Sequence, residues 1–519
     1  MQLINRISLP FALVALALPA HAEPTDAFLT QIESHQEARA TSFWDIFRGK
    51  TPRAADLVVT VTDTDGHPLA GASVLAGQSA GVPFPGNVAT TAADGTASFT
   101  SDSLRGPVTV TASLAGFSTV SLLNSSANTV AIALQRNPDE RGYGFLRGHL
   151  NGIPQTSGSS LDVGFFVPAA RPETLLNFDV QSFVSSYTVK VNVYGDRNIP
   201  GNVVLPTQTK FYGIIPISIS KPDYVMPLPS TTEAHMYGIA GNVPISQAVS
   251  LVQNKDYLGL LNVVQLTNVG WTRDRVQVHG NDNFDINLSH VVQPGQLTAQ
   301  LSGLSGPNRL DAVAVSLVDP SGDKGDYVAM DIKALRSEDL HNGAGSLRLG
   351  AIRSRAALAN SYVFTALFDK TQMQNSSSRW VVGSVRPASS SAIPFSKFLS
   401  PIRTQGVTQA NRDYRFTSPA ANGVTPDLVL VNIVSEKNNP ETMGKTRTVL
   451  WSALVPGATD HVTLPDLGRP VLPPPDSSKG ETYHWEVISY RTSTGHANGV
   501  NLQASLKDLQ DVSTLIQAY

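Results

Sequence analysis

His279 and His290 bracket a run of oxygen-bearing side chains: Asn281, Asp282, Asn283, Asp285 and Asn287. Carboxylates and amide carbonyls are the hard ligands that calcium takes. Asp282 and Asp285 are the charged members, so these two are the candidate metal ligands. The spacing is not that of an EF-hand loop, which needs acidic or amide groups at fixed alternate positions and a late Glu. A solvated turn between two sheets is the plainer reading. A second oxygen-rich stretch, DPSGDKGD, holds Asp319, Asp323 and Asp326. Gly322 and Gly325 are turn residues there, and the stretch reads as a long hairpin loop.

Other chemistries are absent from the local sequence. There is no cysteine, which removes disulfides, thiolate metal sites, Fe–S clusters and Cys nucleophiles. The 11 histidines include no His-Glu-x-x-His and no His-x-His, so no zinc set is clustered in sequence. No Gly-x-Ser-x-Gly elbow and no Ser-x-x-Lys set with its partners occurs. The glycines of Gly142-Tyr143-Gly144-Phe145 and Gly148 match neither a dinucleotide fingerprint nor a Walker sequence, and read as a turn-rich strand. No catalytic residue and no cofactor is therefore assigned. A triad or carboxylate pair assembled from distant residues stays open, since such sites are defined by geometry. The formal net charge is −3 and bases do not interleave with aromatics in any stripe. Nucleic acid is not an expected partner. Tyr143, Phe145, Trp271 and Trp380 are candidate contact groups for a glycan or protein partner if exposed, and core aromatics otherwise.

The elements that would position these groups are mostly strands. Residues 1–22 read as a secretory signal: Arg6, an apolar run from Ile7 to Leu18, then the small-x-small site Ala20-His21-Ala22. The run is too short to span a bilayer, and no later stretch has 18 uninterrupted apolar residues, so no transmembrane segment is expected in the mature chain. The protein is expected to be exported, to the periplasm or beyond the cell. Residues 23–54 read as an amphipathic helix, capped by Thr25 or Asp26, and a linker. From Asp56 the period changes. Leu57–Thr62 is β-branched and alternating and ends in Asp63-Thr64-Asp65-Gly66. Short strands then follow at near-regular spacing as far as Thr129–Leu134, which predicts an antiparallel sandwich.

The pattern Asp65-Gly66-x-Pro68-Leu69-Ala70-Gly71-Ala72-x-Val74, then Thr91-x-x-Asp94-Gly95-x-Ala97-x-Phe99, then Ala115-Gly116-Phe117 resembles the carboxypeptidase regulatory-like domain. That resemblance implies a transthyretin-like β-sandwich used as an accessory module, with no peptidase chemistry. It departs from the pattern between Val74 and Thr91, where Pro83-Phe84-Pro85-Gly86 suggests an enlarged loop. Residues 401–519, with Leu464-Pro465 and Thr482-Tyr483-His484-Trp485-Glu486-Val487, weakly resemble a fibronectin type III-like, Ig-like sandwich.

The expected fold class is mainly β: tandem antiparallel β-sandwich domains with an N-terminal helix and a few short helices. The expected division is 1–22 signal peptide, 23–54 helix and linker, 55–136 regulatory-like sandwich, 137–290 a β-rich domain with short helices, 291–400 a sandwich, and 401–519 a fibronectin-like sandwich. Within 137–290, Tyr187–Tyr194 and Phe211–Ile219 each read as a strand, and Ile245–Leu261 as helical. Ser505–Leu515 reads as a C-terminal helix. The expected function is a non-catalytic exported protein with a binding or structural role at the cell envelope or outside the cell. The alternative is a secreted hydrolase with its site in 137–290. Oligomeric state is not specified by the sequence.

Overall fold

Strand formation follows the two-residue period. Asp56–Asp63 buries Leu57, Val59 and Val61 and turns the residues between them outward, as a half-buried strand must. The computed structural model describes residues 56–518, apart from 64–65, 138–142, 171–184, 193–195, 305–309, 323–325, 354–358, 370–377, 409–412, 421–423, 441–443, 464–477, 494–508 and a few shorter gaps. The signal sequence, the segment 23–54, His279 and Asp323 lie outside the described residues.

The chain is mainly β, built of largely antiparallel sheets with some parallel pairings, packed as sandwiches, with a few short helices. In the first unit, Asp56–Asp63 pairs with Thr96–Thr100 and, in parallel, with Thr129–Leu134. This sheet lies over a second layer formed by Ser73–Ser79, Val82–Thr90, Val108–Ser113 and Thr119–Ser125. The expected enlarged loop at Pro83–Gly86 is instead a strand with slipped register: Leu75 faces Val88 but Gly77 faces Pro83.

That second layer does not end with the first unit. Thr119–Leu122 pairs in parallel with Trp451–Leu454, and the sheet continues through Leu428–Asn439, Thr482–Thr492, Leu509–Ala518, Ser378–Pro387, Ser361–Phe368, Asp311–Val318 and Val328–Leu335 to twelve strands in all. The expected units 55–136, 291–400 and 401–519 share this one sheet. One core extends along it from Leu57 to Leu515. On one face, Tyr414 and Phe416 of the small sheet Thr404–Thr408, Asp413–Phe416 and His461–Thr463 pack against Trp485, a β-sandwich arrangement.

The C-terminal helix is corrected by the structure. Leu509–Ala518 is a strand, inserted between Ser378–Pro387 and Thr482–Thr492. A central strand buries both faces, so its sequence lacks the alternation that marks a half-buried one. Phe211–Ile219 is also corrected. It is a hairpin, Val203–Tyr212 and Ile215–Lys221, with Tyr212 opposite Ile215. The helical reading of Ile245–Leu261 resolves into two helices, Ile245–Gln253 and Tyr257–Val263. Asp256 caps the second, its carboxylate accepting from the Gly259 N–H at 3.0 Å.

Candidate functional site

Tyr143–Asn151 has the sequence YGFLRGHLN. Leu146 and Leu150 turn inward, and Tyr143, Phe145, Arg147, His149 and Asn151 turn outward. Asp223–Pro229 pairs antiparallel on one side, with Asp223 opposite His149. On the other side lies the Asn/Asp run, and it is not the solvated turn expected. Asn281–Asn283 pairs in parallel with Phe145–Arg147, and Ile286–Asn287 with Leu150–Asn151. The register is the same before and after residues 284–285, so the whole stretch follows the strand.

Glycine makes this approach possible. A Cβ on Gly148, whose φ is +153°, would sit 1.9 Å from the Phe284 carbonyl oxygen. A Cβ on Gly144 would meet the Val278 side chain at 2.4 Å. Beneath the sheet, Phe166 stacks on Tyr224 at 3.8 Å, and Phe284 meets Phe166 edge-on at 5.7 Å. The Tyr224 hydroxyl donates to the Phe284 carbonyl at 2.5 Å. Burial, and secondarily the Asp285 charge, push the Tyr224 phenol up.

The outer face is a ladder. Strand pleating puts Asn281, Asn283, Asp285 and Asn287 on the same side as Phe145, Arg147, His149 and Asn151. All four members of the run are exposed. Its central rung is His149. The His149 backbone N–H donates to Asp285 Oδ1 at 2.8 Å, filling the place of a ladder carbonyl. The imidazole lies between two carboxylates, Nδ1 3.1 Å from Asp285 Oδ1 and Nε2 2.8 Å from Asp223 Oδ1. Carboxylates only accept, so both contacts are hydrogen bonds when both ring nitrogens carry protons. The His149 backbone N–H, then its ring, hold the Asp285 carboxyl below its ordinary value. One rung on, Asn151 Nδ2 donates to Asn287 Oδ1 at 3.3 Å. One rung back, the Arg147 guanidinium lies 6.0 Å over the Phe145 ring, which meets Tyr187 edge-on at 5.6 Å.

The two calcium candidates part company here. Asp285 stands on the outer face beside His149, whereas Asp282 is in register with the inward-facing Leu146. Among the described residues no group of three or more His, Asp or Glu side chains is arranged to hold a metal ion. In the second oxygen-rich stretch, Asp319 closes a turn by accepting from the Ser321 and Gly322 N–H groups. Asp326 is buried against Arg275 and accepts from the His235 N–H.

Of the four aromatics singled out, Tyr143 and Phe145 are half-exposed on the ladder. Trp271 is half-buried and stacks on His290 at 4.3 Å. Trp380 is core, 2% exposed. The sequence reading did not connect Arg147, His149, Asn151 or Asp223 to the site. The available signal was the polar residue at every second position in both Arg147–Asn151 and Asn281–Asn287.

Several other buried charges among the described residues are held by ion pairs or backbone groups. Lys210 Nζ bonds Asp162 Oδ2 at 2.7 Å, and Thr156 donates to the same carboxylate. Lys221 donates to the carbonyls of Gly201, Val203 and Asp223. Asp511 accepts from Arg386, Arg491 and Ser384. No helix among the described residues is long and apolar enough to cross a membrane.

No family model and no curated protein matches the sequence. Among solved structures, the TIE protein of Bacillus anthracis is matched over 61% of this chain and 45% of its own, at 10% identity and TM-score 0.14. The full-length major pilin SpaD of Corynebacterium diphtheriae is matched over 61% of this chain and 87% of its own, at 8% identity and TM-score 0.13. The major pilin subunit BcpA of Bacillus cereus, as its D312A variant, is matched over 61% and 88%, at 10% identity and TM-score 0.14. The matched part thus spans less than half the length of the first of these proteins. Values this low assign neither a family nor an activity.

Proposed function

We propose that the protein is an exported, non-catalytic β-protein that holds a binding face at the cell envelope or outside the cell. The observation that carries this reading is the outward row of Arg147, His149, Asn151, Asn281, Asn283, Asp285 and Asn287 on a sheet whose other face is core. A flat row of exposed donors and acceptors on paired strands suits contact with an extended partner. The buried acids described above are committed to Arg, Lys or backbone partners, which supports a scaffold role for them. The carboxypeptidase regulatory-like and fibronectin-like assignments of the first and last units belong to the same reading, as accessory modules.

A hydrolase is the second reading, and His149 between Asp223 and Asp285 is the observation in its favour. One experiment separates the two. The full chain is incubated with insoluble envelope material and, in parallel, with chromogenic esters and dyed polysaccharides. Retention on the envelope without release of chromophore is the expected result. Turnover abolished by His149→Ala contradicts the non-catalytic reading. For export, N-terminal sequencing of the protein recovered outside the cytoplasm should begin at Glu23. Retention of Met1 contradicts the cleaved signal.

A further inference from the structure

We propose that the ladder on Tyr143–Asn151 is a binding site for a neutral, hydroxyl-rich polymer, that is, an uncharged polysaccharide. This rests on the reading of the protein as a binder and specifies its ligand.

Three observations select that chemistry. The first is charge. Asp223 and Asp285 stand beside Arg147 and His149 on one face, so neither a polyanion nor a polycation finds a field of one sign. The second is hydrogen-bonding type. Asn151, Asn281, Asn283 and Asn287 each offer a carbonyl acceptor and an amide donor. A sugar hydroxyl also does both, so adjacent hydroxyls along a chain can be met pairwise without burying a charge. The third is the lack of a strongly exposed aliphatic side chain on this face, among the described residues. A stable protein interface needs a dry apolar middle. The large hydrophobics most exposed among the described residues are Val58, Val82, Val88, Phe211, Ile214 and Val291, and none belongs to the ladder. Its apolar groups are the half-buried Val225 opposite Arg147 and, at one end, the aromatics Phe145 and Tyr143, flat surfaces of the kind that pack on the C–H face of a sugar ring.

The geometry also suits a polymer better than a small ligand. Outward residues recur at roughly 6.6 Å along a strand, so Tyr143 to Asn151 spans about 26 Å. Such a row binds through many weak, repeated contacts.

The test is affinity electrophoresis of the full chain through native gels containing dextran, laminarin, hydroxyethylcellulose or galactomannan, with polygalacturonate as the anionic comparison. Retardation by at least one neutral polymer is expected. Asn281→Ala/Asn283→Ala and Arg147→Ala should each weaken it by about tenfold, as loss of one or two exchanged hydrogen bonds does. Their melting temperatures should stay unchanged. Thr209→Ala, on the exposed face of the hairpin Val203–Lys221, should bind like the parent. Retardation by polygalacturonate alone overturns the assignment of a neutral ligand. Retardation by a neutral polymer that the ladder variants leave intact overturns the site, while leaving the binder reading standing. No retardation by any of the four neutral polymers overturns the proposal. If envelope material still retains the protein in that case, the failure belongs to the ligand class and not to the binder reading.

Discussion

Glu486 shows how much a single side chain depends on residues far from it in sequence. It is buried on Thr482–Thr492, ion-paired with Arg447, and its other oxygen lies 3.5 Å from His484 Nε2. Burial alone would push its carboxyl up. Arg447 and His484 together outweigh that and bring it to about 2. A lowered acid contributes stability that is present above its unfolded value and lost as pH falls through its folded one. The contribution is therefore full at neutral pH and declines from about pH 4.5 towards pH 2, on the order of 3 kcal/mol in all. Glu486→Gln leaves the Arg447 charge buried and should cost about 3–5 kcal/mol at pH 7. Urea denaturation at pH 7 and pH 3 checks this: the gap between parent and variant should narrow at pH 3. A constant gap would mean that shape, and not charge, accounts for the loss. Gly148 makes a different single-residue demand. Gly148→Ala meets both a positive φ and the Phe284 carbonyl, and should destabilise by more than about 1 kcal/mol, read as a lowered denaturation midpoint.

At the scale of elements, the ends of the twelve-stranded sheet are handled in two ways. Val328–Leu335 is one edge, and Asn262 substitutes for a neighbouring strand there. Its Nδ2 donates to the Ala334 carbonyl at 2.9 Å, and its Oδ1 accepts from the Ala334 N–H at 2.8 Å. Val82–Thr90 is the other edge, and Pro83, Pro85 and a slipped register disrupt its outer hydrogen-bonding row. Asn262→Ala should cost about 1–3 kcal/mol, because two backbone groups lose their partner together. Faster hydrogen exchange at Ala334, with exchange in Leu428–Asn439 unchanged, checks the local origin of that loss. Elements with one wet face were legible in the sequence. Leu57–Thr62 and Thr129–Leu134 alternate and are strands, and within the alternating Tyr187–Tyr194 the described strand is Thr188–Asn192. Leu509–Ala518 was misread because Asp511, Ser513 and Thr514 look polar and surface-bound. Their partners Arg386, Ser384 and Arg491, and the Ser400 and Val381 carbonyls, come from elsewhere in the chain. The Asn281–Asn287 run was misread for the converse reason. Its residue types suggested a solvated turn, and its alternation, the better guide, was shorter than the strand it follows.

For the whole molecule, the decisive junction is between Thr119–Ser125 and Gly444–Pro456. Parallel pairing at Thr119–Leu122 and the bond from Trp451 Nε1 to Ser121 Oγ, 3.1 Å, join the first and last parts of the chain into one sheet. No local pattern announces a pairing across that sequence distance, which is why the expected units appear in the sequence as beads on a string. The segment 55–136 expressed alone would present Thr119–Ser125 as a bare edge, and should melt at a lower temperature than the same strands in the full chain, followed by circular dichroism. Trp451→Ala should cost about 3–5 kcal/mol, as large-to-small changes of fully buried aromatics do, and should lower the melting of both parts together. An unchanged transition for the first part would contradict a shared sheet. The sheet with Tyr143–Asn151 packs on a core of its own, with Phe166, Val204, Met236 and Ala240, and the central claim is that its outer face meets the ligand. Hydrogen–deuterium exchange of the full chain, with and without the neutral polysaccharide that retards it, tests that claim most directly. Protection is expected in peptides covering 143–151, 223–229 and 281–289. Protection confined to other segments, with the polymer at saturation, would contradict it.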